Sequence, residues 1–171
     1  HQYDIRIGTL NERVGPYWIS MNTLSLDPKT VCIEAHETAY QEQVSKMGFE
    51  VVPVNYAFTY EDGHLALYFH GAKEGLKYDI LQEKPDVGFC IDGDQMVIPD
   101  EKDAGRFTTH YKSVIGSGRV SMIQEREEAK KALTLFMKHY SPHDWDISDA
   151  MAERAAIFRL DAEEFQVKVN R

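Results

Sequence analysis

The chain has 171 residues, of which 43% are hydrophobic, and its formal net charge is −9. This length and composition predict one folded domain, 1–171, and exclude a disordered or low-complexity chain. The acidic balance disfavours nucleic acid and anionic membranes as partners, and no apolar run approaches the roughly 18 residues of a membrane-spanning helix. An anionic ligand would therefore need a local cluster of positive charge.

The N-terminal part of the chain gives weak signals. The run at 15–24 suits either a strand or an apolar arm, and 30–37 suits a strand. Residues 38–48 are compatible with a short helix or an extended loop. The two cysteines, Cys32 and Cys90, lie in strand-like apolar runs. A domain of this size does not need a disulfide, so we predict free thiols in a reducing, cytoplasmic location.

A hairpin is the strongest local prediction. Two β-rich runs flank the turn Glu61-Asp62-Gly63, a pattern typical of two antiparallel strands. Pro53 within the first run predicts an edge strand or a bulge, because proline donates no ladder hydrogen bond. A helix is predicted over 72–84, ending before Pro85.

The second half alternates strands with one long helix. A strand is predicted at 86–92, followed by a polar loop at 93–109 and a long strand at 110–123. Glycines 116 and 118 in that strand indicate a bend or a close approach by another backbone. The last residues, 156–171, favour two strands around a turn.

The helix predicted over 125–142 is amphipathic. Its apolar side carries Ala129, Leu133, Phe136 and Tyr140. Strands dominate the whole chain, and only two or three helices intervene. The pattern predicts a mainly β (α+β) fold, a small closed antiparallel barrel with helices packed outside.

The junction after His70 is a candidate phosphate site. A helix N-terminus offers unpaired N–H groups, Lys73 and Lys77 are four residues apart on a predicted helical face, and Gly71 and Gly75 allow close approach. The alternative is an ordinary solvated helix start with surface lysines. The spacing is not that of a P-loop.

Two strands are further candidates. The extended segment 51–56 contains a proline, so its backbone groups and the Asn55 amide could bind a flat heteroaromatic ring. The alternative is a plain edge strand. Ser113 could contact an anion or a ring carbonyl, with Lys112 on the opposite face, or could be an ordinary strand serine.

No metal site is predicted. His139 and His143 are four residues apart, but Pro142 interrupts the helix which that spacing requires. The chain also lacks the HExxH, CxxC and GxSxG motifs.

Four blocks of the chain together resemble a known family: "EVVPVNYAF" (50–58), "DGHLALYFHGAKEGLKYDIL" (62–81), "KPDVGFCIDGD" (84–94) and "HYKSVIGSGRV" (110–120). They are similar to the FMN-binding split barrel of the pyridoxamine 5′-phosphate oxidase superfamily, and most of all to its nitroimidazole-resistance (Nim-like) branch. The resemblance extends over about 49–140, and residues 1–29 form a poorly matched N-terminal arm.

The resemblance implies a homodimer of six-stranded antiparallel split barrels of Greek-key type, with FMN at the dimer interface. In this family the segment 51–56 would line the flavin ring, 70–77 would cradle the phosphate and 112–114 would also face the cofactor. The implied cofactor-binding residues are Val52, Pro53, Val54, Asn55, Tyr56, His70, Gly71, Ala72, Lys73, Lys77, Lys112, Ser113 and Val114.

Two departures from the family pattern affect the phosphate loop. The family's serine after the histidine is Gly71, and its arginine after "EG" is Leu76. Loss of a hydroxyl and of a guanidinium predicts a weaker grip on the phosphate.

The resemblance favours an FMN-dependent oxidoreductase that reduces a small aromatic or nitroaromatic compound. His70 is then a candidate catalytic proton donor, or it only orders the phosphate loop. The alternatives are a haem-binding or haem-degrading split barrel and a non-enzymatic flavin-binding protein.

Overall fold

The structure is a computed structural model that describes residues 23–25, 30–34, 42, 45–46 and 50–171. Most of the predicted arm 1–29 and most of 38–48 lie outside the described residues. In the described part of the chain none of the helices is long and apolar enough to cross a bilayer.

The described residues form one eight-stranded sheet and three α-helices, with a short 3-10 turn at Ala104–Arg106. The strands are β1 (Thr23–Ser25), β2 (Thr30–Glu34), β3 (Glu50–Val54), β4 (Tyr56–Glu61), β5 (His64–Gly71), β6 (Asp86–Ile98), β7 (Thr108–Met122) and β8 (Ala156–Asn170). The helices are α1 (Leu76–Glu83), α2 (Arg126–Tyr140) and α3 (Asp149–Arg154).

The order of strands shows how the sheet folds on itself. Across the sheet the order is β3-β2-β1-β6-β7-β8-β5-β4, and every pair is antiparallel except the parallel pair β2–β3. The two edge strands, β3 and β4, are separated along the chain by Asn55 alone. The sheet must therefore curl until its edges meet at that residue, although β3 and β4 do not pair.

The architecture is thus the mainly β (α+β) split barrel that the resemblance implied. The closed barrel expected from the strand pattern is wrong, because the two edges meet without hydrogen bonding to each other. The described sheet has eight strands where the resemblance implied six. The break at Asn55 divides one β-rich run into β3 and β4, and the three-residue β1 adds a further short strand.

The predicted hairpin is confirmed. Glu61 pairs with His64 across a two-residue turn, in which Asp62 and Gly63 have φ of 50° and 86°. Two consecutive left-handed residues match the twist of the flanking strands. Pro53 lies in an edge strand, as its missing N–H required.

The principal core fills the inside of the curled sheet. The Phe69 and Phe158 rings stack there with centroids 5.3 Å apart. α2 covers the outer face of β5 through a second cluster, so β5 is buried on both faces. The buried members of the principal core are Cys32, Leu65, Leu67, Phe69, Leu81, Val87, Phe89, Val120, Ala156, Phe158 and Leu160.

Two boundaries differ from the sequence expectation. β6 runs to Ile98 after an irregularity between Gly93 and Met96, so the predicted loop at 93–109 shortens to 99–107. The segment 156–171 is one long strand rather than two. Its predicted turn is a bulge opposite Ser117 and Gly118, where the extra residue bends the strand without ending it.

The strand glycines mark a close approach of backbones, as predicted. A Cβ at Gly118 would overlap the carbonyl oxygen of Asp161 and lie 2.9 Å from the Ala162 Cα, both in β8. A Cβ at Gly116 would lie 2.8 Å from Phe165 Cβ and from Phe89 Cζ. The β7–β8 ribbon can bend at its bulge only because these positions carry no side chain.

We expect Gly118→Ala to lower the free energy of unfolding by about 1–3 kcal/mol, since the added methyl must push rigid backbone aside. Urea denaturation measures the change. Gly88→Ala in β6 is the matched control, because its Cβ would meet nothing closer than an oxygen at 3.8 Å. An equal loss in both variants would contradict the role given to Gly118.

Candidate functional site

The junction between β5 and α1 differs from its prediction. α1 begins at Leu76, after a bend at residues 73–75, and Gly75 is its N-cap with a φ of 100°. Lys73 is exposed in the bend and not in the helix. The prediction that Lys73 and Lys77 share a helical face is therefore wrong. Of the two lysines, Lys77 alone belongs to α1.

The Lys77 side chain folds back onto the end of β5. Its Nζ donates a hydrogen bond to the His70 carbonyl oxygen at 3.1 Å and lies 6.0 Å from the centre of the Phe69 ring. Partial burial lowers the pKa of Lys77, and the nearby Cys32 opposes that shift. Among the described residues no carboxylate forms an ion pair with it. The junction thus holds a partly desolvated cation without a described counter-ion.

Gly71 makes the position of Lys77 possible. A Cβ at Gly71 would lie 2.7 Å from Lys77 Nζ and 2.9 Å from its Cε. A serine here would displace the ammonium group, which occupies the space that a side chain would take. The departure from the family pattern at Gly71 therefore removes a hydroxyl but admits a cation.

The start of α1 places backbone hydrogen-bond donors near the Lys77 ammonium group. Gly75 has no side chain to accept the first-turn N–H groups, and no side-chain capping bond is formed. The first N–H groups of a helix have no partner within the helix, and they carry a partial positive charge. Leu76, where the family has an arginine, is exposed at the first helical position.

His70 is partly exposed at the end of β5, with one edge of its ring covered by Phe136. The two ring centroids are 4.6 Å apart and the planes are inclined by 70°. Partial burial, and secondly the charge of Lys77, lower the pKa of His70 from 6.5. The imidazole is therefore neutral at neutral pH, when it can donate or accept a hydrogen bond but is not a cationic acid.

Cys32 places β2 near the same junction. Burial raises the pKa of this fully buried thiol to about 12, and the charge of Lys77 partly opposes the increase. Cys32 on β2 is therefore close enough to Lys77 for the two groups to influence each other's pKa. Neither described cysteine forms a disulfide, which confirms the predicted free thiols.

Asn55 interrupts the run that was expected to line a ring. Val52 and Val54 on one side of it pack against the principal core, so those side chains are already occupied. The Asn55 Oδ1 atom is buried and has no hydrogen-bond partner among the described residues. Such an orphaned acceptor is costly in a folded protein, unless a ligand supplies a donor.

The structure brings the Asn55 segment and the phosphate junction together. Tyr56 is the register partner of Phe69, which directly precedes His70. The last turn of α2 touches both segments, because Phe136 packs on His70 while Tyr140 hydrogen-bonds the Tyr56 backbone. Residues 55–56 and 70–77 therefore form one candidate site, in which Ala72 is exposed.

The third predicted segment, 112–114, does not join that site within one chain. On β8, His70 pairs with Ile157 whereas Ser113 pairs with Lys168. Ile157 and Lys168 are eleven residues apart on β8, which corresponds to roughly 36 Å of extended strand, so Ser113 lies far from His70.

Each side chain of this third segment has its own contacts. Lys112 forms an ion pair with Asp94, and Val114 packs against the core. Ser113 is buried beside Cys90. Burial of the Cys90 thiol, and secondly the charge of Asp92, raise the pKa of Cys90 to about 11.

Two residues of the site were missed in the sequence. Phe136 and Tyr140 were predicted only as members of the apolar side of α2. Their helical spacing gives the buried face of the helix, but nothing in the pattern indicates a hydroxyl bonded to a backbone 84 residues away.

Comparison with known proteins supplies a family. The protein-family model described as pyridoxamine 5′-phosphate oxidase matches residues 42–169, which is most of the chain. No curated protein matches the chain.

Three solved structures share the fold at low sequence identity. A proposed 5-nitroimidazole antibiotic resistance protein from Bacteroides thetaiotaomicron is 24% identical, with a TM-score of 0.56 over 67% of this chain and 66% of that one. The flavocytochrome Anf3 from Azotobacter vinelandii is 20% identical, with a TM-score of 0.51 over 70% and 62%. A FAD- and haem-binding protein from Mycobacterium smegmatis is 13% identical, with a TM-score of 0.53 over 70% and 66%. The matched part spans slightly under two thirds of each of these chains.

We expect His70 to make folding stability depend on pH. Its pKa is lower in the folded state, so the unfolded chain binds the proton first as the pH falls. The contribution is complete above pH 6.5 and is lost as the pH falls from there through the folded pKa. In urea unfolding at a series of pH values, His70→Gln should lose less stability over this range than the wild type.

His64→Gln is the control for that measurement, since it replaces an exposed histidine at the other end of β5. It should keep the pH dependence of the wild type. The account of His70 fails if the wild type and His70→Gln lose stability in parallel.

Proposed function

The chain belongs to the pyridoxamine 5′-phosphate oxidase family, and from that premise we propose that it binds FMN and reduces a small aromatic or nitroaromatic compound. The observation that carries the proposal is the pairing of an orphaned acceptor with an unneutralised cation. Asn55 Oδ1 has no described partner, and Lys77 has no described carboxylate, at one end of the same hairpin.

The phosphate of FMN suits the β5–α1 junction. In a chain of net charge −9 a dianion needs concentrated positive charge, which Lys77 and the uncapped N–H groups of α1 supply. Gly71 leaves space above the strand for the ammonium group. A bound anion would also favour the protonated forms of Lys77 and His70.

The flavin ring suits the break between β3 and β4. The outer edge of β3 has no strand partner in the described sheet, so its backbone groups are available to a planar heterocycle. Asn55 Oδ1 can accept the single imide N–H of an oxidised flavin ring. The Val52 and Val54 side chains support this edge from the core side.

A bound flavin would supply the redox chemistry, while the protein binds and orients the reactants. His70, neutral at neutral pH, would act as a hydrogen-bonding group between phosphate loop and ring. A role as proton donor would require a neighbouring anion to raise its pKa. The substrate class follows the resemblance to nitroimidazole-resistance proteins, and a cytoplasmic location fits the free thiols.

We further propose that the protein is a homodimer. The parts of β6, β7 and β8 that lie farthest from His70 carry exposed large apolar side chains. Exposed apolar surface of this kind favours a protein interface. Met96, Val167 and Val169 share one face of these strands, where we place the interface, whereas Val97 and Ile115 lie on the opposite face.

The segment 112–114 lies in this same part of the sheet, far along β8 from His70. In a dimer it would approach the site of the second subunit, which would account for a cofactor segment that cannot reach its own junction.

The first test is the visible spectrum of the purified protein, followed by identification of any cofactor released with acid. Flavin bands with about one FMN per chain, and reoxidation of the dithionite-reduced, FMN-loaded protein by a nitroaromatic compound, would support the proposal. A Soret band would favour the haem alternative. A colourless protein that takes up no added FMN would contradict the proposal, and FMN without turnover would favour a flavin carrier.

We expect Lys77→Gln to weaken FMN binding by about 10- to 100-fold, because a charge-assisted hydrogen bond to phosphate is lost. Fluorescence titration of the apoprotein measures the dissociation constant. Lys84→Gln is the matched control, since Lys84 is exposed at the opposite end of α1. Similar affinities for Lys77→Gln and the wild type would remove Lys77 from the phosphate site.

The dimer proposal predicts that Val167→Asp with Val169→Asp weakens self-association by at least about 100-fold, since apolar contact is replaced by repelling charge on both subunits. Light scattering after size-exclusion chromatography measures the mass. Met151→Asp is the control, an exposed apolar residue on α3 outside this surface. A monomeric wild type would contradict the proposal directly.

A further inference from the structure

One tyrosine hydroxyl holds the backbone at the edge of the candidate site. Tyr140, the last residue of α2, donates a hydrogen bond from its hydroxyl to the Tyr56 carbonyl oxygen at 2.8 Å. The same hydroxyl accepts a hydrogen bond from the Tyr56 N–H at 3.1 Å. Both backbone groups of one residue are thus bound to a single oxygen from another element.

This arrangement replaces a neighbouring strand. Tyr56 is the first residue of β4, which is an edge strand of the described sheet. An edge residue presents an N–H and a C=O that a further strand would normally bind. The Tyr140 hydroxyl binds both groups, so neither of them is left for another strand to pair with at Tyr56. The break in the barrel is held open.

The residue fixed by this contact directly follows Asn55, whose Oδ1 is buried without a described partner. We infer that Tyr140 is a positioning residue for the cofactor: its hydroxyl fixes the Tyr56 backbone so that Asn55 Oδ1 accepts the imide N–H of the FMN ring. The inference rests on the proposed function, and it assigns the role to a residue that touches no part of the cofactor itself.

The rest of the last turn of α2 allows the hydroxyl to be tested alone. His139 packs against the rings of Tyr56 and Phe58, with centroids 6.4 and 5.7 Å away. Phe136 lies 5.0 Å from the Tyr140 ring. These ring contacts do not depend on the hydroxyl, so Tyr140→Phe removes the two hydrogen bonds and keeps the packing.

The decisive experiment is a double-mutant cycle on FMN affinity. The dissociation constants of wild type, Tyr140→Phe, Asn55→Ala and the double variant are measured by fluorescence titration. We expect about a 10-fold loss for each single variant and about the same 10-fold loss for the double variant. A tyrosine that acts through Asn55 has nothing left to position once that amide is gone.

Hydrogen exchange on the apoprotein gives a readout that needs no cofactor. In Tyr140→Phe the Tyr56 amide should exchange at least about 10-fold faster, with little change in the stable strands around it. Tyr60→Phe is the matched control, because Tyr60 lies on the same strand with an exposed side chain. It should leave both FMN affinity and the exchange of Tyr56 unchanged.

Three outcomes would overturn the inference, and they differ from one another. Equal FMN affinity in wild type and Tyr140→Phe would remove the role of Tyr140 while leaving the proposed function intact. A double variant about 100-fold weaker would show that the two residues act independently. No FMN binding by the wild type would contradict the proposed function, and the positioning role would fail with it.

Discussion

The connection between β3 and β4 constrains everything else in this fold. The two outermost strands of the described eight-stranded sheet are consecutive in the chain, and the single residue Asn55 separates them. One residue spans only about 3.5 Å, so the opposite edges of the sheet are forced together. A curled sheet with a filled interior follows from that short link, and so does a seam where two edges meet without pairing.

A seam of this kind leaves polar backbone groups that must be satisfied in some other way. The Tyr140 hydroxyl binds one such pair, and α2 covers the adjacent outer face of β5. The helix therefore stabilises the barrel at its weakest line and at the same time shapes the site. The same contacts of α2 contribute to stability and to the shape of the site, which is why residues far apart in sequence come together there.

Electrostatics single out the same end of the sheet. Most lysines and arginines with described ion pairs have exposed side chains, as Arg126 does in its pairs with Asp149 and Glu153. Exposed pairs of this kind contribute little to stability. Lys77 differs, because it is partly buried and its described hydrogen bond goes to a backbone carbonyl. Its charge remains available to a ligand in an otherwise acidic molecule.

Local signals predicted the features that are decided locally. The turn at Asp62 and Gly63, the edge position of Pro53 and the close approach at Gly118 each depend on the conformation of one or two residues.

The start of α1 was predicted too early. Ala72, Lys73 and Glu74 are good helix formers, but the chain must first turn away from β5, and Gly75 allows that turn. The Tyr140 contact and the separation of 112–114 from the junction could not be predicted, since both depend on strand order and register across the whole sheet.

The fit of Lys77 over Gly71 has an evolutionary consequence. The two positions are coupled, because a side chain at position 71 would occupy the space that the Lys77 ammonium group now fills. Replacing Gly71 therefore has no effect on the position of residue 77 only where that residue does not fold back over the strand. A lineage that gained a side chain at position 71 first would lose the folded-back lysine, whereas one that changed residue 77 first could then vary position 71 freely. The effect of a substitution at either of these two positions should therefore depend on which residue occupies the other.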